Sequence, residues 1–192
     1  VILTGSEIAR QRELGGIHIE PFAPEHVQPN SYDFHLGNRV LVYRDRVLDA
    51  RRPNPTEEIL IPEDGLELTP DRVYLGSSLE TMGSDRFAPR FDAKSGVARS
   101  GLFIHITAGL VDIGSLGQYT LMLHAVQPLR IYPGMLIGQI TFWRPEGRIS
   151  LYDGKYQGAE GPQASRIHED FGEPGSRVEE DPHRVSSVAA PR

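Results

Sequence analysis

The side chains best suited to chemistry cluster between Ala93 and His124, in AKSGVARSGLFIHITAGLVDIGSLGQYTLMLH. Lys94, Ser95, Gly96 and Arg99 combine two cations, a hydroxyl and a glycine, a set that offers charge and backbone N–H groups to phosphate oxygens. Asp112 follows Ala108-Gly109-Leu110-Val111 and precedes Gly114. A carboxylate there can position a water molecule, although turn aspartates commonly bond their own backbone. On the strand-like segment Tyr119–Val126, Thr120, Met122 and His124 fall on one face and Tyr119, Leu121 and Leu123 on the other. His124 would lie roughly 7 Å along the strand from Met122, so it serves better as a satisfied barrel histidine than as a proton acceptor for that position. His105 is the other histidine of the stretch. Tyr152, Lys155 and Tyr156 set a cation between aromatic rings, a composition suited to closing over phosphates. Asp33, in NSYDF, either bonds its own turn or positions this chemistry.

These residues need strands to hold them. Leu102–Thr107 and Tyr119–Val126 alternate as half-buried strands do, and the glycines between them predict a tight hairpin. Gly5–Leu14 reads as a short helix with Ser6 as N-cap and Gly15-Gly16 as its stop. Asp45–Asp64, with Pro53, Pro55 and Pro62, reads as an exposed excursion, and Glu67–Glu80 as two short strands around Thr69-Pro70-Asp71. Thr81–Arg90 reads as a connector with helical character. The pattern is mainly β, of barrel or jelly-roll type, with one domain at 1–172 and a Pro-, Ser- and charge-rich tail at 173–192 expected to be disordered.

Composition narrows the chemistry. The chain has 192 residues and no cysteine, which removes thiolate catalysis, disulfides and cysteine-ligated zinc. A formal charge of −6 argues against a duplex-binding surface, while a local cation cluster can still hold one nucleotide. No apolar run approaches a membrane span and no signal-peptide pattern opens the sequence, so the expected location is cytoplasmic.

Five ordered motifs resemble the dCTP deaminase branch of the dCTP deaminase/dUTPase superfamily. They are Ile17-His18-Ile19-Glu20-Pro21-Phe22 with the opening Ile2-Leu3; Val27 to Gly37, VQPNSYDFHLG; Lys94 to Leu102, KSGVARSGL; Pro133 to Gln139, PGMLIGQ; and Lys155-Tyr156-Gln157-Gly158 with Ser165-Arg166. The resemblance implies a distorted β-barrel or jelly roll of the dUTPase-like type. It implies a homotrimer with sites at subunit interfaces, where Arg99 of one chain reaches a nucleotide held mainly by another. It also implies that Lys94, Ser95, Gly96, Arg99, Tyr152, Lys155 and Tyr156 hold phosphates, and that Ala108, Gly109, Ser115, Met122 and Ala159 face base and sugar.

Three of those positions depart from the family pattern. The family's proton-handling glutamate is Met122 here, and a thioether cannot take a proton from water near neutral pH. Ala159 replaces a glutamine near the base. Ser115 replaces an aromatic residue that packs on deoxyribose, which predicts weaker rejection of ribonucleotides or a modified pyrimidine as substrate. The phosphate side looks nearly intact. This contrast ranks three expectations. First is a metal-assisted hydrolase releasing diphosphate from a pyrimidine nucleoside triphosphate: Asp112 orients water, Mg²⁺ bridges the phosphates without protein ligands, and Ser95 and the cations stabilise developing charge. Second is a dCTP- or CTP-type deaminase with a substitute base such as His124. Third is a catalytically silent nucleotide-binding protein.

Overall fold

Short alternating segments cut by Pro and Gly favour strands, and pairing among distant strands builds this molecule. The computed structural model describes residues 1–172, so the expected tail at 173–192 lies outside the described residues. Helix α1 (Gly5–Glu13) is followed by β1 (His18–Glu20), β2 (Tyr32–His35), β3 (Arg39–Tyr43), β4 (Thr56–Leu60), β5 (Leu66–Leu68) and β6 (Tyr74–Ser77). Next come β7 (Thr81–Gly83), β8 (Ala88–Ala93), α2 (Ser95–Arg99), β9 (Leu102–Phe103), β10 (Leu116–Gly117), β11 (Thr120–Ala125), β12 (Leu129–Ile131) and β13 (Leu136–Trp143).

The largest sheet runs β4-β3-β6-β11-β9; the others run β2-β13-β8, β1-β7-β10 and β5-β12. The result is mainly β and jelly-roll-like. Between the sheets lie Phe34, Leu121, Leu123, Ile140 and Phe142, all fully buried. Each such side chain contributes about 1.5–3 kcal/mol when removed from water. Gly138 is required where β13 crosses β2, since a Cβ there would lie 2.1 Å from the Phe34 ring. The N-terminus docks on the same strand, with Leu3 N–H donating to the Phe142 carbonyl at 2.9 Å.

Several local expectations change. Thr81–Arg90 is not helical: it supplies β7 and the start of β8, because Ile19 and Met82 pair across β1 and β7 and both enter the core. The 45–64 excursion contains β4, which pairs along the whole of β3 and ends at the buried Ile61. The N-cap of α1 is Thr4, whose extended backbone marks the boundary, rather than Ser6, which is already inside the helix. β9 and β11 do pair, through His124 opposite Phe103, but no tight hairpin joins them. Their connection leaves to bridge Leu110 with Arg90 and to lay β10 against β7.

Candidate functional site

Strand β11 keeps the predicted two faces: Leu121, Leu123 and Ala125 are buried, while Thr120, Met122 and His124 are half-buried. Beside its first half lies a cavity of about 430 Å³. Leu116 to Thr120 and Met122 form one wall, with Leu75 from β6, Tyr43 from β3 and Phe91 from β8. Tyr156, Ala159, Gln163 and Ser165 form the roof. Four positions expected to face base and sugar, Ala108, Ser115, Met122 and Ala159, therefore meet in one place. Gly109 is buried just behind, where a Cβ would come within 2.9 Å of the His105 ring.

The roof is a strap fastened by backbone groups. Gly158 N–H donates to the Leu116 carbonyl at 2.9 Å, and Gln118 N–H donates to the Ala159 carbonyl at 2.8 Å. Gln163 N–H reaches Thr120 Oγ1 at 3.0 Å, and Ser165 N–H reaches the Tyr43 hydroxyl at 2.9 Å. Gly117 permits this approach, since a Cβ there would lie 2.8 Å from Ala159 N. Lys155 serves the strap itself: its ammonium donates to the Arg166 carbonyl at 3.0 Å and to Asp170 at 2.9 Å. That hydrogen bond to Asp170 raises its pKa above the ordinary lysine value. The Tyr156 hydroxyl accepts Arg166 N–H at 2.8 Å.

Among the described residues, no carboxylate, imidazole or cation lines the cavity. Asp112 is exposed and borders a separate groove with Leu110, Leu151 and Tyr152. The His124 ring lies tilted against Phe103 with centroids 6.4 Å apart, and Nδ1 is 3.5 Å from the Arg72 carbonyl. His105 turns Nε2 to Asp92 at 3.2 Å. Burial alone would raise the Asp92 pKa, but the hydrogen bonds from Arg90 and His105 together hold it below the ordinary aspartate value.

The set expected to hold phosphates forms a second region. Lys94 pairs with Asp33, which is buried, so the NSYDF aspartate anchors the start of α2. The expected turn is thus a five-residue helix, with Ser95, Gly96 and Arg99 exposed on it. None of Lys94, Ser95, Gly96 and Arg99 lines the cavity. Sequence reasoning missed Tyr43, Gln118, Tyr119 and Gln163 as site residues. For Tyr119 the signal was present, since it begins the strand that carries Met122.

A family model described as dCTP deaminase-like matches residues 2–145. A protein of Clostridium botulinum named "dCTP deaminase, dUMP-forming" is 44% identical over 173 residues, covering 89% of this chain and 99% of its own. One of the same name from Hathewaya histolytica is 45% identical over 172 residues, again covering 89% and 99%. A crystal structure of 2'-deoxycytidine 5'-triphosphate deaminase from Agrobacterium tumefaciens superimposes with a TM-score of 0.59 at 19% identity. That match covers 73% of this chain and 47% of the other, and it shows the likeness of fold. Relatives named for a deamination overturn the ranking that put metal-assisted diphosphate release first, with hydrolase as the leading description. Retained phosphate-side residues do not separate the two reactions, because both use a nucleoside triphosphate.

Proposed function

This chain belongs to the dCTP deaminase-like family, and from that premise we propose that it is a nucleotide-modifying enzyme that deaminates a cytosine deoxynucleotide, dCTP. The carrying observation is the cavity in which Ala108, Ser115, Met122 and Ala159 converge under the strap. Its walls are mostly apolar with a few neutral polar groups, as suits a pocket for an uncharged heterocycle. Water adds at C4 of the cytosine ring, ammonia leaves from C4, and a uracil nucleotide remains.

Proton handling in this cavity cannot follow a carboxylate route, because Met122 offers only a thioether. Hydroxyls of Ser115 and Thr120 are groups available to orient the attacking water. Loss of a general base costs about 10²–10⁴ in rate, so turnover is slow while the reaction type is kept. The strap covers one side of the cavity, which limits contact with bulk water there and strengthens polar contacts beneath it.

The triphosphate belongs to Lys94, Ser95, Gly96 and Arg99 of another copy in a homotrimer, with Tyr152, Lys155 and Tyr156 of the strap closing over it. What supports an interfacial site is the exposure of Ser95, Gly96 and Arg99 and their separation from this chain's own cavity. Mg²⁺ would enter with the nucleotide and offset phosphate charge; the Asp33 carboxylate is taken by Lys94 and Asp112 borders a separate groove, so neither would hold the ion at the cavity. Among the described residues no helix is long and apolar enough to cross a membrane.

Incubation with dCTP and Mg²⁺, followed by chromatography of nucleotides and assay of ammonia, tests the proposal. Ammonia equal to the uracil nucleotide formed is expected. Diphosphate without ammonia, or nucleotide binding without any product, would overturn it.

A further inference from the structure

Two kinds of bond hold the strap to β10 and β11, and they change over at Gln118. Up to that residue the fastening is main chain to main chain, from Gly158 N–H to the Leu116 carbonyl and from Gln118 N–H to the Ala159 carbonyl. Beyond it the main chain is engaged elsewhere. Tyr119 donates its N–H to Ser78 Oγ and accepts Ser78 N–H at its carbonyl, and Thr120 pairs with Ser77 of β6. Side chains therefore take over: Gly161 N–H donates to Gln118 Oε1 at 2.5 Å, and Gln163 N–H donates to Thr120 Oγ1 at 3.0 Å.

The other end of the Gln118 amide is fixed as well. Nε2 donates to the Leu79 carbonyl at 2.8 Å, and Leu79 N–H donates to the His35 carbonyl of β2 at 2.8 Å. With a carbonyl on one side and an N–H on the other, the amide has a single satisfied orientation. Gln118 thus grips the strap on both sides of Glu160, by its own N–H at Ala159 and by its side chain at Gly161, and ties that grip to β2. Ala159, Gln163 and Gln118 itself all line the cavity.

We propose that Gln118 is a positioning residue for base binding, its side-chain amide holding the 159–163 part of the strap down over the cavity. This deepens the proposed function and rests on it for the identity of the nucleotide. Two substitutions separate the two ends of the amide. Gln118→Met keeps the length of the side chain and loses both bonds, whereas Gln118→Glu keeps an acceptor for Gly161 N–H and loses only the donor to Leu79. Loss of the strap bond lowers the fraction of molecules with the roof in place, and the apparent affinity for a ligand beneath it falls with that fraction.

The test compares the full chain with both variants by hydrogen–deuterium exchange over residues 157–166 without nucleotide, by calorimetric binding of dCTP, and by kcat and KM for ammonia release. In Gln118→Met the strap amides are expected to exchange about 5–10-fold faster, as for one net hydrogen bond, with β11 amides unchanged. Kd and KM for dCTP should rise by a similar factor while kcat stays constant, and Gln118→Glu should follow the wild type. Unchanged strap exchange in Gln118→Met overturns the proposal, as does faster exchange with unchanged dCTP affinity. Equal loosening in both variants overturns it too, since the bond to Gly161 would then not be what holds the strap. A fall in kcat at constant KM would place Gln118 in the reaction itself and likewise overturn it. If the wild type binds dCTP but releases no ammonia, the deaminase reading falls, while exchange and calorimetry still decide this one.

Discussion

The cavity beside β11 and the cation-bearing α2 are built on opposite principles. The cavity is lined by neutral groups and roofed by a strap held through backbone hydrogen bonds. α2 is short and largely exposed, held by an ion pair from Lys94 to the buried Asp33, by Lys94 N–H donating to the Ile137 carbonyl, and by Val97 packed against the core. On the proposed function, the first takes the base through shape and a few hydroxyls, and the second takes phosphates through exposed charge. That proposal lets a chain change what happens at the ring without disturbing what holds the phosphates.

Putting charge into the cavity breaks this contrast most strongly. Met122→Glu restores a proton acceptor on the cavity wall, and ammonia release from dCTP is expected to rise by about 10²–10⁴, measured at saturating dCTP. No rise would mean that the water is oriented elsewhere. Removing the anchor attacks the other region: Asp33→Ala strands Lys94 and is expected to cost about 3 kcal/mol in urea unfolding. An unchanged midpoint would show that α2 is held by packing alone.

Arg99→Ala removes an exposed cation, so stability should stay constant while kcat/KM for dCTP falls about 10²-fold, as for a lost charge-assisted phosphate contact. Deoxycytidine, which has no phosphate, should react equally with both proteins; an equal loss for both substrates would place Arg99 at the base. Ser115 sharpens the comparison from inside the cavity. The wild type should convert CTP within about 10-fold of dCTP, and Ser115→Phe should restore a preference for dCTP. A strong deoxy preference in the wild type would falsify the sugar-side reading.

The smallest effect is in pH dependence. Burial raises the folded-state pKa of Tyr119 above its ordinary value of 10.0. A raised pKa contributes stability that is complete below the unfolded value and lost as pH climbs toward the folded one. Melting temperature should accordingly fall above about pH 10, and fall less in Tyr119→Phe. Tyr32, also raised by burial, keeps part of the slope in both proteins.

Some of this was legible in the residues. Alternation alone sorted Thr120 and Met122 from Leu121 and Leu123, and β11 carries Met122 into the cavity that Ser115 enters from just before β10. Pairings between distant segments left no local trace. Asp33 and Lys94 stand 61 residues apart, and the Tyr43 hydroxyl meets Ser165 N–H across 122 residues. Thr81–Gly83 is too short to display a period, and its state is set by β1 and β10 on either side. Asp112 sits in a glycine-bearing turn that suits a water-positioning carboxylate, but the path of its loop turns it to another groove.

The central claim is that cytosine is deaminated inside the carboxylate-free cavity. Ala108 is exposed at the cavity's edge, so Ala108→Trp fills the space without crowding the core. Time courses of ammonia release from dCTP with Mg²⁺, for the wild type and this variant at matched folded concentration, measure the claim directly. The account predicts ammonia in step with the uracil nucleotide for the wild type and none for the filled cavity. Equal ammonia release by both proteins would place the reaction outside the cavity and contradict it.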